Sequence, residues 1–306
     1  MRFAIIGAGS VGGYLGARLQ MAGNEVTFVV REKRREQLEK SGLKLITPAE
    51  TVSLRVDARV SASDIKRCDV CIVTVRNYSL DEVIDQIKSL ASGGASIISL
   101  LNGVEHIEKI SNAVARHKIV GGSAYIDSRL GDNGEIIHRS QVPRIVLGRL
   151  TGLADSNVEK IRDVFVGAGI NTDVVEDLEK FLWKKYMFVL AGSFTAVAGC
   201  HIGEILEQDY GADTLRLLLR EFQEVGLKSG VSLSEADIED AFQEVKRQNR
   251  QWTSLLYEDL HARRKTEVEA LWGYLVRKAR EVGYDARASH VCYSILKIRE
   301  AMNASP

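Results

Sequence analysis

Residues 2–30 of the chain read RFAIIGAGSVGGYLGARLQMAGNEVTFVV, and this stretch carries the strongest structural signal of the sequence. Its opening apolar run ends at a group of glycines. Val11, Leu15 and Leu19 then recur on one helical face, and residues 25–30 are rich in β-branched side chains. The order strand, helix, strand within about thirty residues predicts a βαβ unit at the start of the chain.

The loop between the first strand and the helix has the spacing G-x-G-x-x-G. The first glycine permits a tight turn, the second lets the backbone approach a pyrophosphate, and the third lets helix and strand pack closely. Backbone N–H groups at the start of the helix then face the phosphates. The pattern predicts a dinucleotide-binding site formed by Gly7, Ala8, Gly9, Ser10, Val11 and Gly12.

The second predicted strand is followed directly by Arg31. An acidic residue at this point binds the ribose 2′-hydroxyl of NAD, whereas a cation suits the 2′-phosphate of NADP. Residues 33–35 are also basic, and an alternative interpretation places some of these charges on the solvated start of a helix. We predict NADP (NADPH) as the cofactor, with Arg31 as the residue that selects it. The acidic Glu32 leaves NAD as an alternative cofactor.

Further strand candidates alternate with helical stretches through the first half of the chain. They lie at residues 70–75, 95–101, 119–125, 135–138 and 144–150, and at 172–175 after a predicted helix from Ser156. This alternation predicts a parallel sheet covered on both faces. We expect an α/β protein whose N-terminal Rossmann-type, NADP-binding domain spans residues 1–176.

From about residue 177 the strand candidates stop and the pattern becomes helical. Apolar residues recur with a helical period at Leu215, Leu218, Leu219, Phe222 and Val225 before Gly230, at Val268, Leu271, Tyr274 and Leu275, and at Val291, Ile295 and Ile298. We predict an all-helical C-terminal domain at residues 177–306 that carries substrate and catalytic residues.

The 306 residues include 41 basic and 41 acidic side chains, and the pI is near 7.0. This balance gives no overall field for nucleic acid or an anionic membrane, and no apolar run approaches the roughly 20 residues that cross a bilayer. We expect neither kind of partner. Because glycines interrupt the N-terminal apolar run, we predict no signal peptide and a cytoplasmic location.

The four cysteines are too few for a disulfide framework, which fits a reducing cytoplasm. Cys68 and Cys71 form a C-x-x-C pair, as in redox dithiols and zinc sites. No second pair accompanies them, and Cys71 falls in a predicted strand, so we favour a structural role as a small buried hydrophobe. The histidines are scattered without metal-ligand spacing, and we predict no metal.

Several segments, taken in order, resemble the ketopantoate reductase (2-dehydropantoate 2-reductase) family over nearly the whole chain. They are residues 12–16 (GGYLG), 29–31 (VVR), 101–104 (LNGV), 182–185 (LWKK), 202–205 (IGEI) and 264–269 (RKTEVE). Members of this family reduce ketopantoate to pantoate with NADPH, on the route to pantothenate and coenzyme A. The resemblance implies NADPH-dependent reduction of a 2-keto acid, with ketopantoate as the first candidate.

Carried over to this chain, the resemblance implies that Lys185 is the general acid, and Lys184 is the competing candidate. Hydride transfer to a ketone carbon builds negative charge on the oxygen, which a lysine ammonium can meet before it supplies the proton. Burial lowers the pKa of such a lysine and a nearby carboxylate raises it, so the sequence leaves the sign of the net shift open.

The resemblance also implies binding roles. Substrate contacts fall to Asn102, Ser193, Ser254 and Glu267, and cofactor contacts to Arg76, Asn102 and Glu267. Arg76 stands where a lysine is common in the family, so it keeps the charge with a different shape.

The chain departs from the family pattern where asparagines often hold the substrate's hydroxyl and carboxylate. Those positions carry Phe188 or Val189 and Gly192 or Ser193. Ile202 also stands where an asparagine can precede Gly-Glu, and Trp272 replaces the usual asparagine before Gly273. Reduction of another branched or aryl 2-keto acid, or of a 3-oxo compound, is therefore the alternative within enzymes. A non-catalytic NADP-binding sensor is the alternative from another class, although the joint presence of the lysine, serine and glutamate counts against it. A homodimer through the helical domain is a further expectation.

Overall fold

The structure, a computed structural model, describes residues 1–139, 142–150 and 156–304. The strands in chain order are β1 (Arg2–Ile6), β2 (Glu25–Val29), β3 (Leu43–Ile46), β4 (Thr51–Leu54), β5 (Asp57–Arg59), β6 (Val70–Val73), β7 (Ser96–Ser99), β8 (Ile119–Tyr125), β9 (Ser128–Leu130), β10 (Ile136–His138), β11 (Arg144–Arg149) and β12 (Asn171–Val175). The helices of the first half are α1 (Ser10–Met21), α2 (Glu32–Ser41), α3 (Ile84–Ser92), α4 (Glu105–Ala113) and α5 (Ser156–Gly167).

The larger sheet has the strand order β12-β11-β8-β7-β6-β1-β2-β5. Its pairs are parallel except β8 with β11, which is antiparallel. No helix lies between β8 and β11 along the described chain, and a return without a helical crossover allows antiparallel pairing. The predicted α/β class is confirmed, with this local reversal at one end of the sheet.

Both faces of the larger sheet are buried, because successive side chains of a strand point to opposite sides. On β1, Phe3 and Ile5 enter one apolar cluster, whereas Ala4 and Ile6 enter another. Cys71 on β6 is fully buried in the second cluster, as the structural interpretation of the C-x-x-C pair expects. Burial raises the pKa of the Cys71 thiol, which keeps it protonated.

A smaller sheet of order β4-β3-β10-β9 was not predicted from the sequence. The candidate strand at residues 135–138, grouped with the larger sheet, pairs here with β3 in parallel and with β9 antiparallel. The strands of this sheet are three or four residues long, so their apolar pattern is too brief to identify. Their pairing is also distant in sequence.

The second half is helical, as predicted. Its helices are α6 (Leu178–Ala198), α7 (Ile202–Leu206), α8 (Asp209–Lys228), α9 (Glu235–Lys246), α10 (Leu255–His261), α11 (Tyr274–Glu281) and α12 (Arg287–Ala304), with a turn of π-helix at Glu269–Gly273 before α11. The predicted face of α8 is buried, and the helix ends before Gly230. On α12 the expected apolar face is instead exposed, and Ser289, Cys292 and Leu296 are buried.

Internal contacts divide the chain into two compact units. The sheet unit comprises Met1–Leu101 and His106–Leu178, and the helical unit comprises Asn102–Glu105 and Glu179–Pro306. The sequence placed its boundary after residue 176 and assigned residues 102–105 to the first domain. None of the helices in the described ranges combines the length and the hydropathy that a membrane span requires.

Candidate active site

The glycine loop makes the tight turn between β1 and α1. Gly7 has a φ of +103°, a conformation that side chains rarely adopt, and Thr74 donates a hydrogen bond to its carbonyl oxygen (2.9 Å). A Cβ on Gly12 would lie 2.0 Å from the Gly7 oxygen and 2.2 Å from Thr74 Oγ1. Glycine is therefore required at both ends of this loop.

The start of α1 presents the backbone N–H groups of Ser10, Val11 and Gly12. Gly9 is the N-cap residue, and the first intrahelical bond runs from Gly13 N to Gly9 O (2.8 Å). The N–H groups before that bond lie at the positive end of the helix dipole, which favours an anion such as a phosphate. A Cβ built on Gly9 would have no atom within 4 Å, so the backbone is open to a ligand there.

Arg34 supports the same loop from α2. Its Nε donates to Ala8 O (3.2 Å) and its Nη2 to Gly134 O (3.0 Å). Desolvation lowers the pKa of Arg34, so this guanidinium is not on a solvated face. By contrast, Arg35 pairs with Glu32 and Glu39 at the surface, as the alternative interpretation of the basic run expects. The sequence missed the role of Arg34 because its partners are distant along the chain.

Arg31 follows β2 at the position where dinucleotide folds read the ribose. Its Nη2 donates to Glu82 Oε2 (2.7 Å) and to Ser79 Oγ (3.1 Å), and its side chain is 74% exposed. Arg76 directly precedes the short 3₁₀ turn Asn77–Ser79. The structure thus brings Arg31 to the turn that follows Arg76, and it adds Ser79 and Glu82, which the sequence did not indicate.

Adjacent lysines of α6 have opposite electrostatic surroundings. Lys184 donates to Asp237 (2.8 Å) and Asp240 (3.2 Å), and the hydrogen bond to Asp237 raises its pKa. Desolvation lowers the pKa of Lys185 to about 8. Since a general acid works best with a pKa near the operating pH, this difference favours Lys185 over Lys184. The net shift in the pKa of Lys185, whose sign the sequence left open, is therefore downward.

Two hydrogen bonds join α6 to the π-helical turn. Tyr186 donates through its hydroxyl to Leu271 O, and Trp272 Nε1 donates to Ser193 Oγ (2.8 Å). Ser193 in turn donates to Leu190 O (2.6 Å) and is 1% exposed. Direct contact of Ser193 with substrate stays a prediction that this geometry does not favour, because its hydroxyl is already engaged within the unit.

The segment that carries Asn102 packs against the same π-helical turn. A Cβ on Gly103 would lie 3.3 Å from Ala270 O, and Glu105 accepts a hydrogen bond from Arg277 (2.8 Å). Glu267 is 7% exposed just before this turn. The fold therefore brings the segments of Asn102 and Glu267 to the same π-helical turn, although they are distant in sequence.

Ser254 is the N-cap residue of α10, and its hydroxyl accepts a hydrogen bond from Tyr257 N (3.2 Å). Its Oγ also lies 3.0 Å from Thr195 Oγ1 on α6. Ser254 is thus tied to the helix that carries Lys185. No group of three or more His, Cys, Asp or Glu side chains in the described part of the chain could hold a metal ion.

Comparison with protein families accounts for both units. The model of ketopantoate reductase PanE/ApbA matches residues 3–152, and the model of its C-terminal region matches residues 177–300. The chain belongs to the ketopantoate reductase family. It is accordingly an oxidoreductase acting on CH–OH groups, with a nicotinamide cofactor. The glycine loop and the open backbone at Gly9 fit the pyrophosphate of such a cofactor.

Known proteins similar to this chain differ in what their names say of substrate. An uncharacterised oxidoreductase of Bacillus subtilis, YkpB, is 33% identical over 98% of this chain and 99% of its own. A 2-dehydropantoate 2-reductase of Archaeoglobus fulgidus is 27% identical over 97% of both chains. The structure of a D-mandelate dehydrogenase with NADH and anilino(oxo)acetate has a TM-score of 0.90 at 18% identity and full coverage of both chains. The last likeness shows the fold alone.

Proposed function

We propose that this member of the ketopantoate reductase family reduces a 2-keto acid to the 2-hydroxy acid with NADPH, using Lys185 as the general acid. The observation that carries the proposal is the desolvated lysine of α6, whose pKa is lowered to about 8 while its neighbour is held charged by two aspartates. A lysine with such a lowered pKa is suited to proton transfer, whereas Lys184 forms ion pairs that join α6 to α9.

The cofactor, when bound, supplies hydride to the ketone carbon. The ammonium of Lys185 meets the negative charge that grows on the ketone oxygen, and its proton then passes to that oxygen to complete the hydroxyl. Lys185 becomes neutral in this step and recovers a proton from solvent. Its lowered pKa makes the transfer easier than it would be from an ordinary lysine.

The preference for NADPH over NADH rests on Arg31, with Arg76 as a second candidate contact. Arg31 holds an exposed guanidinium fork beside the turn Asn77–Ser79, and such a fork suits a phosphate. Binding of 2′,5′-ADP and 5′-AMP, followed by calorimetry, tests this preference without any turnover. Equal affinity for the two nucleotides would contradict it.

Ketopantoate is the substrate that the family description and the named relative give, and its reduction would place the chain in pantothenate synthesis. The test is optical, by NADPH oxidation with ketopantoate and a panel of branched, aryl and linear 2-keto acids, and with NADH as the control. Turnover of any panel member supports the reaction class. Tight NADPH binding without turnover of any compound would favour the NADP-binding sensor.

Three further expectations remain proposals. Asn102, Ser254 and Glu267 contact substrate or cofactor, a homodimer forms through the helical unit, and the protein works in the cytoplasm. For the dimer, the apolar face of α12 is the surface to test, since Val291, Ile298 and Met302 are each more than half exposed. For the location, all four cysteines are free thiols in the structure.

A further inference from the structure

The face of α6 that carries Lys185 presents few polar groups. Residues three, four, seven and eight positions further along lie on that same face, and they are Phe188, Val189, Gly192 and Ser193. One helical turn is about 5.4 Å, so the side chain of a small keto acid whose ketone oxygen contacts Lys185 is long enough to reach these residues. Their chemistry therefore bears on what that side chain can be.

The single hydroxyl among these four residues is already used. Ser193 Oγ donates its proton to Leu190 O (2.6 Å) and accepts from Trp272 Nε1 (2.8 Å). Trp272 is fully buried and Ser193 is 1% exposed. A substrate hydroxyl could receive no proton from Ser193 unless a buried hydrogen bond were broken.

The two neighbouring hydroxyls are committed in the same way. Thr195 donates its only proton to Gly192 O (2.8 Å), so Ser254 is the donor in the 3.0 Å contact between the two side chains. Ser254 Oγ also accepts from Tyr257 N. The residues Ser193, Thr195 and Ser254 are each less than 10% exposed, and their hydroxyls have no proton left to donate.

Aromatic rings complete this apolar surface. The rings of Phe188 and Trp252 lie 6.2 Å apart at 32°. Trp252 packs directly on α6 at Gly192, where a Cβ would lie 2.5 Å from the indole. The backbone carbonyl of Trp252 accepts a hydrogen bond from Ile202 N (3.1 Å), which holds the backbone of Trp252 against the start of α7.

We infer that the preferred substrate is a 2-keto acid whose side chain is apolar and carries no hydroxyl; this rests on the proposed reduction with Lys185 as the acid. A hydroxyl on the substrate would lose its water without gaining a donor from residues 188–193, 195 or 254. An apolar site discriminates against an added hydroxyl by about 100-fold at most, because shape alone does not exclude it. We therefore expect a preference of about 10- to 100-fold.

The test uses two acids with one carbon skeleton. Ketopantoate is trimethylpyruvate with a hydroxyl on one methyl group, so the ratio of their kcat/KM values measures the hydroxyl alone. With the whole chain and saturating NADPH, we expect kcat/KM to be about 10- to 100-fold higher for trimethylpyruvate than for ketopantoate. Equal or faster reduction of ketopantoate would overturn the inference and leave the proposed reduction standing. No turnover of either acid or of benzoylformate would overturn both.

A pair of variants tests whether this face of α6 is responsible. Val189→Asn adds an amide one turn from Lys185, and Val189→Leu adds nearly the same shape without the amide. Val189 is partly exposed, so neither change is made at a fully buried position. We expect the asparagine variant alone to narrow the ratio, mainly through a lower KM for ketopantoate. Folded variants that both keep the wild-type ratio would show that the hydroxyl is not sensed here and overturn the inference. If a variant misfolds, the ratio of kcat/KM values measured with the wild-type protein still tests the inference.

Discussion

Glu82 accepts a 2.7 Å hydrogen bond from the Nη2 of Arg31, the residue that we propose reads the 2′-phosphate of NADPH. Both side chains are more than half exposed, so this ion pair contributes little to stability. Its consequence is for binding, because a bound 2′-phosphate would compete with Glu82 for the guanidinium and would be repelled by its charge.

Removal of that charge should sharpen the cofactor preference. For Glu82→Gln we expect affinity for NADP to rise about fivefold with NAD unchanged, since one unit charge about 4 Å away in water contributes about 1 kcal/mol. Calorimetric titration with both nucleotides measures this. The matched control is Asp81→Asn, whose carboxylate pairs with Lys109 instead (3.0 Å). Weaker NADP binding in Glu82→Gln, or an equal change for NAD, would contradict the competition.

The lowered pKa of Lys185 predicts opposite pH profiles for the two reaction directions. Reduction needs the charged lysine, so its kcat/KM should fall as pH rises through about 8, whereas oxidation of the hydroxy acid needs the neutral lysine and should rise there. Initial rates in both directions across that range measure the profiles. Parallel profiles in the two directions would show that another group carries the proton.

The adjacent lysines provide a matched pair of variants. Lys185→Met should reduce kcat by several orders of magnitude and leave NADP affinity unchanged, because it removes the proton donor and no part of the glycine loop. Lys184→Met removes the ion pairs to the buried Asp237 and the exposed Asp240, so it should lower stability, whereas the turnover and pH profile of the folded variant should persist. Steady-state rates and nucleotide titration distinguish the two variants. Loss of turnover in Lys184→Met with retention in Lys185→Met would reverse the assignment.

Two glycines of the loop should respond differently to the same change. A Cβ on Gly12 would overlap the Gly7 carbonyl at 2.0 Å, so Gly12→Ala should destabilise the protein by about 1–3 kcal/mol. A Cβ on Gly9 meets no atom within 4 Å, and Gly9→Ala should keep stability within about 0.5 kcal/mol. It should nevertheless weaken NADP binding about tenfold, the effect of losing about 1.4 kcal/mol. Thermal unfolding and nucleotide titration measure these effects; unchanged binding in Gly9→Ala would place the pyrophosphate elsewhere.

The exposed apolar face of α12 gives a test of the expected dimer. Light scattering after size exclusion should give twice the chain mass of 33.9 kDa for the wild type and 33.9 kDa for Ile298→Glu. Leu217→Glu, at an exposed apolar residue of α8, is the control and should stay dimeric. A wild-type protein of single-chain mass would show the dimer prediction to be wrong.

The local sequence pattern predicted those structural features that depend on residues close together in the chain. The strand, glycine loop and helix of residues 2–30 predicted the turn at Gly7 and the start of α1, because each residue there acts on atoms a few positions away. The buried face of α8 followed from its helical period for the same reason. The family resemblance then supplied Lys185 as a candidate but gave no electrostatic reason to prefer it to Lys184.

Features that depend on groups distant in sequence became visible in the folded chain. The pKa of Lys185 falls because other elements remove water around it, whereas Lys184 meets two aspartates of α9. The bond of Ser193 to Trp272 joins residues far apart in the chain, and so does that of Arg31 to Glu82. Local patterns in the sequence were thus enough to predict the class of fold and the cofactor loop. Burial and long-range hydrogen bonds, which no local spacing encodes, set the opposite pKa shifts of the two lysines and the partners of the buried hydroxyls.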